Sequence, residues 1–230
     1  MKAGYFKFPH TPHLAWLGKG LPRDDKVLGL GEAMGLLSHP VVIEEKIDGA
    51  NIGITFDKFS SPTIQNRGTI LSIGAHAQFQ PLWPWLATHR TKLADALGDR
   101  LILFGEWCFA VHSVRYQRLP DWFLAFDVYE ISARRFWSSE RRDSLVRSLE
   151  LHSVPFLGSG VYDLSALRKL LMKTRSKYAT APIEGLYIRA EKGGWLLERA
   201  KLVRPEFAQS IDQHWTARPL VRNSLSEATP

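Results

Sequence analysis

The stretch "VVIEEKIDGANIGITFD", residues 41–57, decides how the rest of the chain is read. It divides into an apolar run, an Asp48-Gly49 turn signal and a second apolar run, which is strand, tight turn, strand. Lys46 stands just before the turn, flanked by Glu44, Glu45 and Asp48. A buried ammonium costs several kcal/mol unless it is paired. Lys46 is therefore either half of a structural ion pair or a working nucleophile.

Working outward, later segments repeat the strand signal. "TIQNRGTILSIG" reads as further strand with a turn at Asn66-Arg67-Gly68, "RLILFGEW" and "WFLAFDVYE" as short apolar strands, and "IEGLYIRAE" and "WLLERAKLV" as two strands around Gly193-Gly194. Between them lie helical patterns. One follows Pro84 and stops at Gly98, one begins at the capping signal of "SSERRDSLVRSLEL", and "DLSALRKLLMKTRSKY" is basic and amphipathic. The first forty residues are rich in Pro, Gly and His and read as loop. The sum is an α+β domain of mostly antiparallel sheets flanked by helices. It is expected to occupy residues 1–210, with 211–230 as a C-terminal tail.

The composition excludes several classes. With 230 residues, 45% of them apolar, the chain suits one globular domain and neither a disordered nor a fibrous protein. No apolar run is long enough to span a bilayer, and the N-terminus lacks the pattern of a secretory signal. Cys108 is the only cysteine, so no internal disulfide or cysteine-based zinc site exists, and a cytoplasmic location is expected. Cys108 itself reads as a small buried hydrophobe, and Trp83 and Trp85 as core. His10 and His13, spaced across a proline-containing loop, make a poor metal site. The net charge is +7, and residues 134–204 carry 15 Lys/Arg against 7 Asp/Glu. A basic face of that kind suits a polyanion such as nucleic acid.

Each strand after Lys46 carries charged residues at inner or terminal positions: Arg67, Glu106, Asp127, Glu184, and Arg199 with Lys201. Arg199 and Lys201 are two apart and share one strand face. In this order the segments resemble the motifs of the covalent nucleotidyltransferase superfamily, which includes polynucleotide ligases and mRNA capping enzymes. "EKIDGAN" looks like motif I, "NRG" like the arginine beside it, "LFGEW" like motif III, "FLAFDVYE" like motif IIIa, "IEGLYIR" like motif IV and "LLERAKLVRPEF" like motif V. Asn51, where DNA ligases and capping enzymes usually have Arg, makes the chain most similar to ATP-dependent RNA ligases of the phage RNA ligase 2 type. Two positions depart from that type: Asp48, where His is frequent, and Arg199, where motif V usually has Lys.

The resemblance implies an ATP-grasp-like nucleotidyltransferase domain. About 25 residues follow motif V, so no OB domain is expected, and a protein partner is expected in place of the absent C-terminal domain. It implies ATP and Mg²⁺, or Mn²⁺, as cofactors, and RNA with 5′-phosphate and 3′-hydroxyl ends as substrate. Lys46 becomes the lysine linked to AMP. Lys201, Arg199 and Glu184 complete the catalytic set, and Asp127 and Glu184 hold the metal through its water shell. Glu45, Asp48, Asn51, Arg67, Glu106 and Phe126 are expected to contact the nucleotide. Of these, Glu45 takes the adenine amino group, Phe126 stacks on the ring and Glu106 meets the ribose hydroxyls. Lys46 must lose its proton before it attacks, since an ordinary lysine stays charged at neutral pH; partial burial and neighbouring cations such as Lys201 and the metal are expected to lower its pKa. The competing readings are a minimal DNA ligase, a capping-type guanylyltransferase and a non-catalytic nucleic-acid-binding module.

Overall fold

The computed structural model describes residues 5–20, 22, 26–208 and 220–227. Two antiparallel sheets face each other across a cleft. The first contains β1 (Val41–Lys46), β8 (Phe156–Gly160), β9 (Gly185–Lys192) and β10 (Trp195–Val203), in the order β10-β9-β1-β8. The second runs β3-β2-β4-β5-β6, from β2 (Ala50–Phe56), β3 (Pro62–Gln65), β4 (Leu101–Trp107), β5 (Phe123–Glu130) and β6 (Arg135–Phe136). A short β7 (His152–Ser153) lies parallel to β5.

The opening stretch forms both of its strands, but the strands do not pair with each other. β1 is taken by β8 and β9, and β2 by β3 and β4. Residues 47–49 thus cross from one sheet to the other, and Lys46 ends up at the junction. Gly49 is required by close approach: a Cβ there would lie 2.6 Å from the Trp107 carbonyl oxygen. The Gly193-Gly194 turn is realised as a hairpin between β9 and β10, with φ of +60° and +80°.

Helices cover the outer faces. α2 (Leu82–Leu97) buries Leu82, Trp85, Leu86, Leu93 and Leu97 against the second sheet. Pro84 falls in its first turn, where a backbone N–H would have no intrahelical acceptor. α3 (Ser139–Ser148) starts at Ser138, whose side chain accepts from the Arg141 N–H. α4 (Leu164–Lys173) starts at Asp163, which caps Ala166, and buries Leu167 and Leu171 on the first sheet. Two expectations are corrected here. The first forty residues are not all loop, because α1 (Leu30–Leu37) packs Leu36 into the first core. "TILSIG" does not extend as a strand: apart from the Gln65–Ile70 bridge, the chain turns away, leaving Ile73 exposed.

Two segments outside the sheets close the molecule. Residues 12–14 lie along β10, where the Lys201 N–H donates to the Pro12 carbonyl and the Leu14 N–H to the Lys201 carbonyl, both at 2.8 Å. The expected tail, 211–230, falls outside the described residues except for 220–227, which straps the loop after β4. Asn223 is buried there: its amide nitrogen donates to the carbonyls of Cys108 and Ala110, and its amide oxygen accepts from the Tyr116 N–H. Asn223→Ala leaves three backbone groups without these partners. The expected cost is about 3 kcal/mol, or roughly 6–12 °C in melting midpoint by calorimetry. An unchanged midpoint would show that the strap does not hold the loop. Among the described residues no helix is long and apolar enough to cross a membrane.

Candidate active site

The cleft between the sheets contains a cavity of about 930 Å³. β1 delivers Glu45 and Lys46 to it, and the crossing turn delivers Asp48. Asn51 comes from β2, Glu106 from β4, Phe126 from β5 and Lys201 from β10, while Arg67 and Glu184 come from loops. The structure thus brings together nine of the residues singled out from sequence. Lys46 Nζ lies 2.6 Å from Glu184 Oε2. Asn51 and Glu106 are cross-strand partners. Asp48 faces the loop after β4, where its Oδ2 accepts from the N–H groups of Ser113 and Val114 and its own N–H donates to the Tyr116 hydroxyl.

Arg199 and Asp127 are not brought to this cavity. Asp127 is fully buried, with one oxygen accepting from Arg189 and the other from Arg199. The Arg199 guanidinium also packs against the contacting rings of Phe8 and Phe136, 4.7 and 4.1 Å from their centroids. In this arrangement both Asp127 oxygens are taken by arginines, and Arg199 is paired with a carboxylate. They belong to a buried ionic cluster that the motif reading missed. Arg189 of β9 also binds Glu191 at 2.6 Å, and Arg142 of α3 binds Glu44 of β1 at 2.6 Å. The cluster joins the two sheets and α3 behind the cavity. Its only sequence signal was the presence of charges inside otherwise apolar strands. Arg204 is likewise structural, donating to the Leu171 and Met172 carbonyls near the end of α4. Four of the fifteen cations in 134–204 are therefore spent internally, and the basic face is smaller than composition implied.

The electrostatics of the cavity are dominated by burial. Glu106 is pushed up to about 8, by burial first and then by Asp48 and Glu184, against the pull of Lys46. Glu184 is raised to about 7 for the same leading reason. Burial draws the Lys46 ammonium down, but Glu184, Asp48 and Glu106 outweigh it and hold its pKa above the ordinary lysine value. The protein's own groups therefore do not lower the Lys46 pKa as the sequence reading expected; added positive charge is needed for that.

A stability effect follows from the carboxyls. Both folded values lie above the ordinary 4.5, so this contribution is complete below pH 4.5 and is lost as pH rises through about 7 and then about 8. The melting midpoint is expected to fall by several degrees from pH 6 to pH 9, and by less in Glu106→Gln. A flat wild-type profile would show that these carboxyls are not held neutral.

Of the three buried acceptors without a hydrogen-bond partner, on Glu44, Glu45 and Asn51, the last two test the fit of a nucleotide. Glu45 is 1% exposed, and its Oε2 accepts from the Lys177 N–H while Oε1 has no partner. Phe126 and Val154 line the cavity as well, so an amino-bearing aromatic ring would find an acceptor and apolar faces. Asn51 Oδ1, also in the cavity lining, is another unpartnered acceptor. Sequence reasoning gave no role to Trp16, Tyr187 and Gln78 and weighed His13 only as half of a poor metal site, yet all four line the cavity.

Comparison with known proteins agrees with this arrangement. No curated protein matches the sequence. Among solved structures, the chain resembles Naegleria gruberi RNA ligase in several states. A mutant with ATP and Mn is 16% identical with a TM-score of 0.57, over 78% of this chain and 54% of that one. The ligase with pyrophosphate is 18% identical with a TM-score of 0.58, over 76% and 52%. A mutant with AMP and Mn is 18% identical with a TM-score of 0.58, over 78% and 54%. This chain thus spans about half the length of those ligases, and at such identity the likeness concerns the fold. The model of the RNA ligase family matches residues 39–203, from just before β1 to the end of β10, and the chain belongs to that family.

Proposed function

We propose that this chain is the nucleotidyltransferase domain of an ATP-dependent RNA ligase that works through lysyl-AMP. The observation that carries the reading is the placement of Lys46, in contact with Glu184 and in one cavity with Lys201 and the unpartnered Glu45 oxygen. Glu45 and Phe126 receive the adenine, and Glu106 the ribose. The Lys46 ammonium gives up its proton to solvent once added positive charge has drawn its pKa down, and Glu184, in contact with Nζ, orients the amine. The free amine attacks the α-phosphorus of ATP; the N–P bond forms and the bond to pyrophosphate breaks. Lys201 stabilises charge on the non-bridging oxygens. Glu184 is the carboxylate suited to hold a hydrated Mg²⁺ or Mn²⁺, whose chemistry is to neutralise phosphate charge and lower the pKa of nearby amines.

The 5′-phosphate of an RNA strand then attacks the lysyl-AMP phosphorus and releases Lys46. Finally a 3′-hydroxyl attacks the adenylylated end and expels AMP. Arg168, Lys169 and Lys173 of α4, with Arg175 and Lys177 beyond it, are exposed cations available to phosphates. Incubation with α-labelled ATP and a divalent metal, followed by denaturing electrophoresis, should label the protein. Strands with ribose at the two terminal 3′-hydroxyl nucleotides should then be sealed in preference to all-DNA strands, with activity falling as salt rises. Labelling without sealing of any RNA would remove the ligase reading, and equal sealing of DNA would remove the RNA assignment.

A further inference from the structure

Of the fifteen cations in 134–204, four are internal and five lie on or just after α4. Arg134, Arg135, Arg141 and Lys192 belong to a different place, around two tryptophans. Trp137 and Trp195 are bridged where β10 begins. The Arg141 guanidinium lies 3.9 Å from the Trp137 ring centroid and 4.8 Å from that of Trp195, and Arg135 lies 4.6 Å from Trp195. Such contacts hold long side chains in place before a ligand arrives, so less freedom is lost on binding. Among the described residues no carboxylate pairs with Arg100, Arg134, Arg135 or Lys192, all of them exposed. Arg134 has φ of +52°, a backbone that glycine adopts without strain. Beside the rings is a hollow of about 350 Å³, lined by the apolar Leu101, Trp137 and Leu145 and the charged Arg100, Glu130 and Arg141. Glu130 Oε2 accepts from Trp137 Nε1 at 2.8 Å and from Arg141 at 3.1 Å, while Oε1 accepts from none of the described residues.

No residue lining this hollow lines the cavity that contains Lys46. In register Lys46 faces Gly185 and Trp195 faces Lys192, so the two places lie about 24 Å apart along β9. Asp99 and Glu140 stand next in sequence to Arg100 and Arg141, so net charge alone does not choose the ligand. The combination does. Guanidinium groups held on aromatic rings suit planar bases and the phosphates between them. A carboxylate with one open oxygen repels the side chains of an acidic peptide, but it accepts an N–H from an amino-bearing base. We propose that this arginine–tryptophan surface binds single-stranded RNA, with an amino-bearing base in the hollow and neighbouring phosphates on Arg134 and Arg135. It is a second strand contact, remote from the joining chemistry. The choice of RNA rests on the proposed ligase reading; the surface does not.

The probes are fluorescent oligo(C) and oligo(U) 12-mers, followed by anisotropy without ATP. Wild-type protein should bind oligo(C), whose bases carry an amino group, roughly fivefold more tightly than oligo(U), and Glu130→Gln should narrow that gap. In Trp195→Leu the affinity for oligo(C) should fall roughly tenfold, as when one stacked base is lost. Arg134→Gly combined with Arg135→Ala removes two exposed cations and leaves the core untouched. The slope of log affinity against log salt should then lessen by about 1.4, as for two phosphates of a single strand. Equal binding of the two RNAs by the wild-type protein overturns the proposal, as does an unchanged salt slope in the double variant. Displacement of oligo(C) by an equal concentration of a poly-glutamate 12-mer overturns it in favour of an acidic peptide. AMP labelling should stay at the wild-type level in the double variant. A chain that binds RNA here yet never labels with AMP would sink the ligase reading and leave this one standing. Labelling and sealing by a chain whose double variant binds RNA like wild type would do the reverse.

Discussion

Lys46→Ala is expected to lose protein-linked AMP altogether, a drop of roughly 10⁴-fold or more, as when a covalent nucleophile is removed. No nearby group can substitute. Lys201 is the other cavity lysine, but it extends from β10, and its main chain is held between Pro12 and Leu14. The fold should survive the change. Lys46 neutralises Glu184, Asp48 and Glu106, two of which already lie near or above neutrality, so these can take up protons in its absence. Circular dichroism at pH 6 should therefore show a wild-type transition. Labelling at the wild-type level in Lys46→Ala would end the assignment.

The second large effect separates two cations that share a strand face. Lys201→Ala should reduce adenylylation by roughly a hundredfold or more, the usual loss when one transition-state donor is removed, with little change in stability. Arg199→Ala should act in the opposite way. It leaves the buried Asp127 carboxylate with Arg189 alone and removes a cation packed on Phe8 and Phe136. Breaking a buried pair costs about 3–5 kcal/mol, so the melting midpoint should fall by on the order of 10 °C. Arg199→Lys should recover part of that loss, since charge is kept but the planar fork is not. Single-turnover labelling and thermal melts distinguish the two residues. Normal labelling in Lys201→Ala, or an unshifted midpoint in Arg199→Ala, would refute the respective assignment.

Local pattern made much of this molecule legible. Strands β1, β2, β4, β5, β9 and β10 announce themselves through apolar runs and turn residues, and the cavity residues fall at their ends because polar groups are tolerated there. What pattern could not reveal was partnership. The strand-turn-strand at 41–57 looks the same whether its strands pair together or enter different sheets; only competition from β9 and β4 decides. Arg199 and Lys201 are equivalent by alternation, yet one meets Asp127 and the other the cavity. Asn223 has no periodic context at all. Its importance comes from backbone groups distant in sequence, which no local window contains.

The strap also bears on how the chain is made. Asn223 follows its partner Tyr116 by 107 positions. At ordinary translation rates this is a delay of roughly 5–20 s, during which both sheets have emerged but the loop that grips Asp48 lacks its final anchor. The nascent chain would pass through a stage with its two cores assembled and the cavity between the sheets still unlatched on one side. The loop that grips Asp48 is thereby completed only after both sheets have left the ribosome.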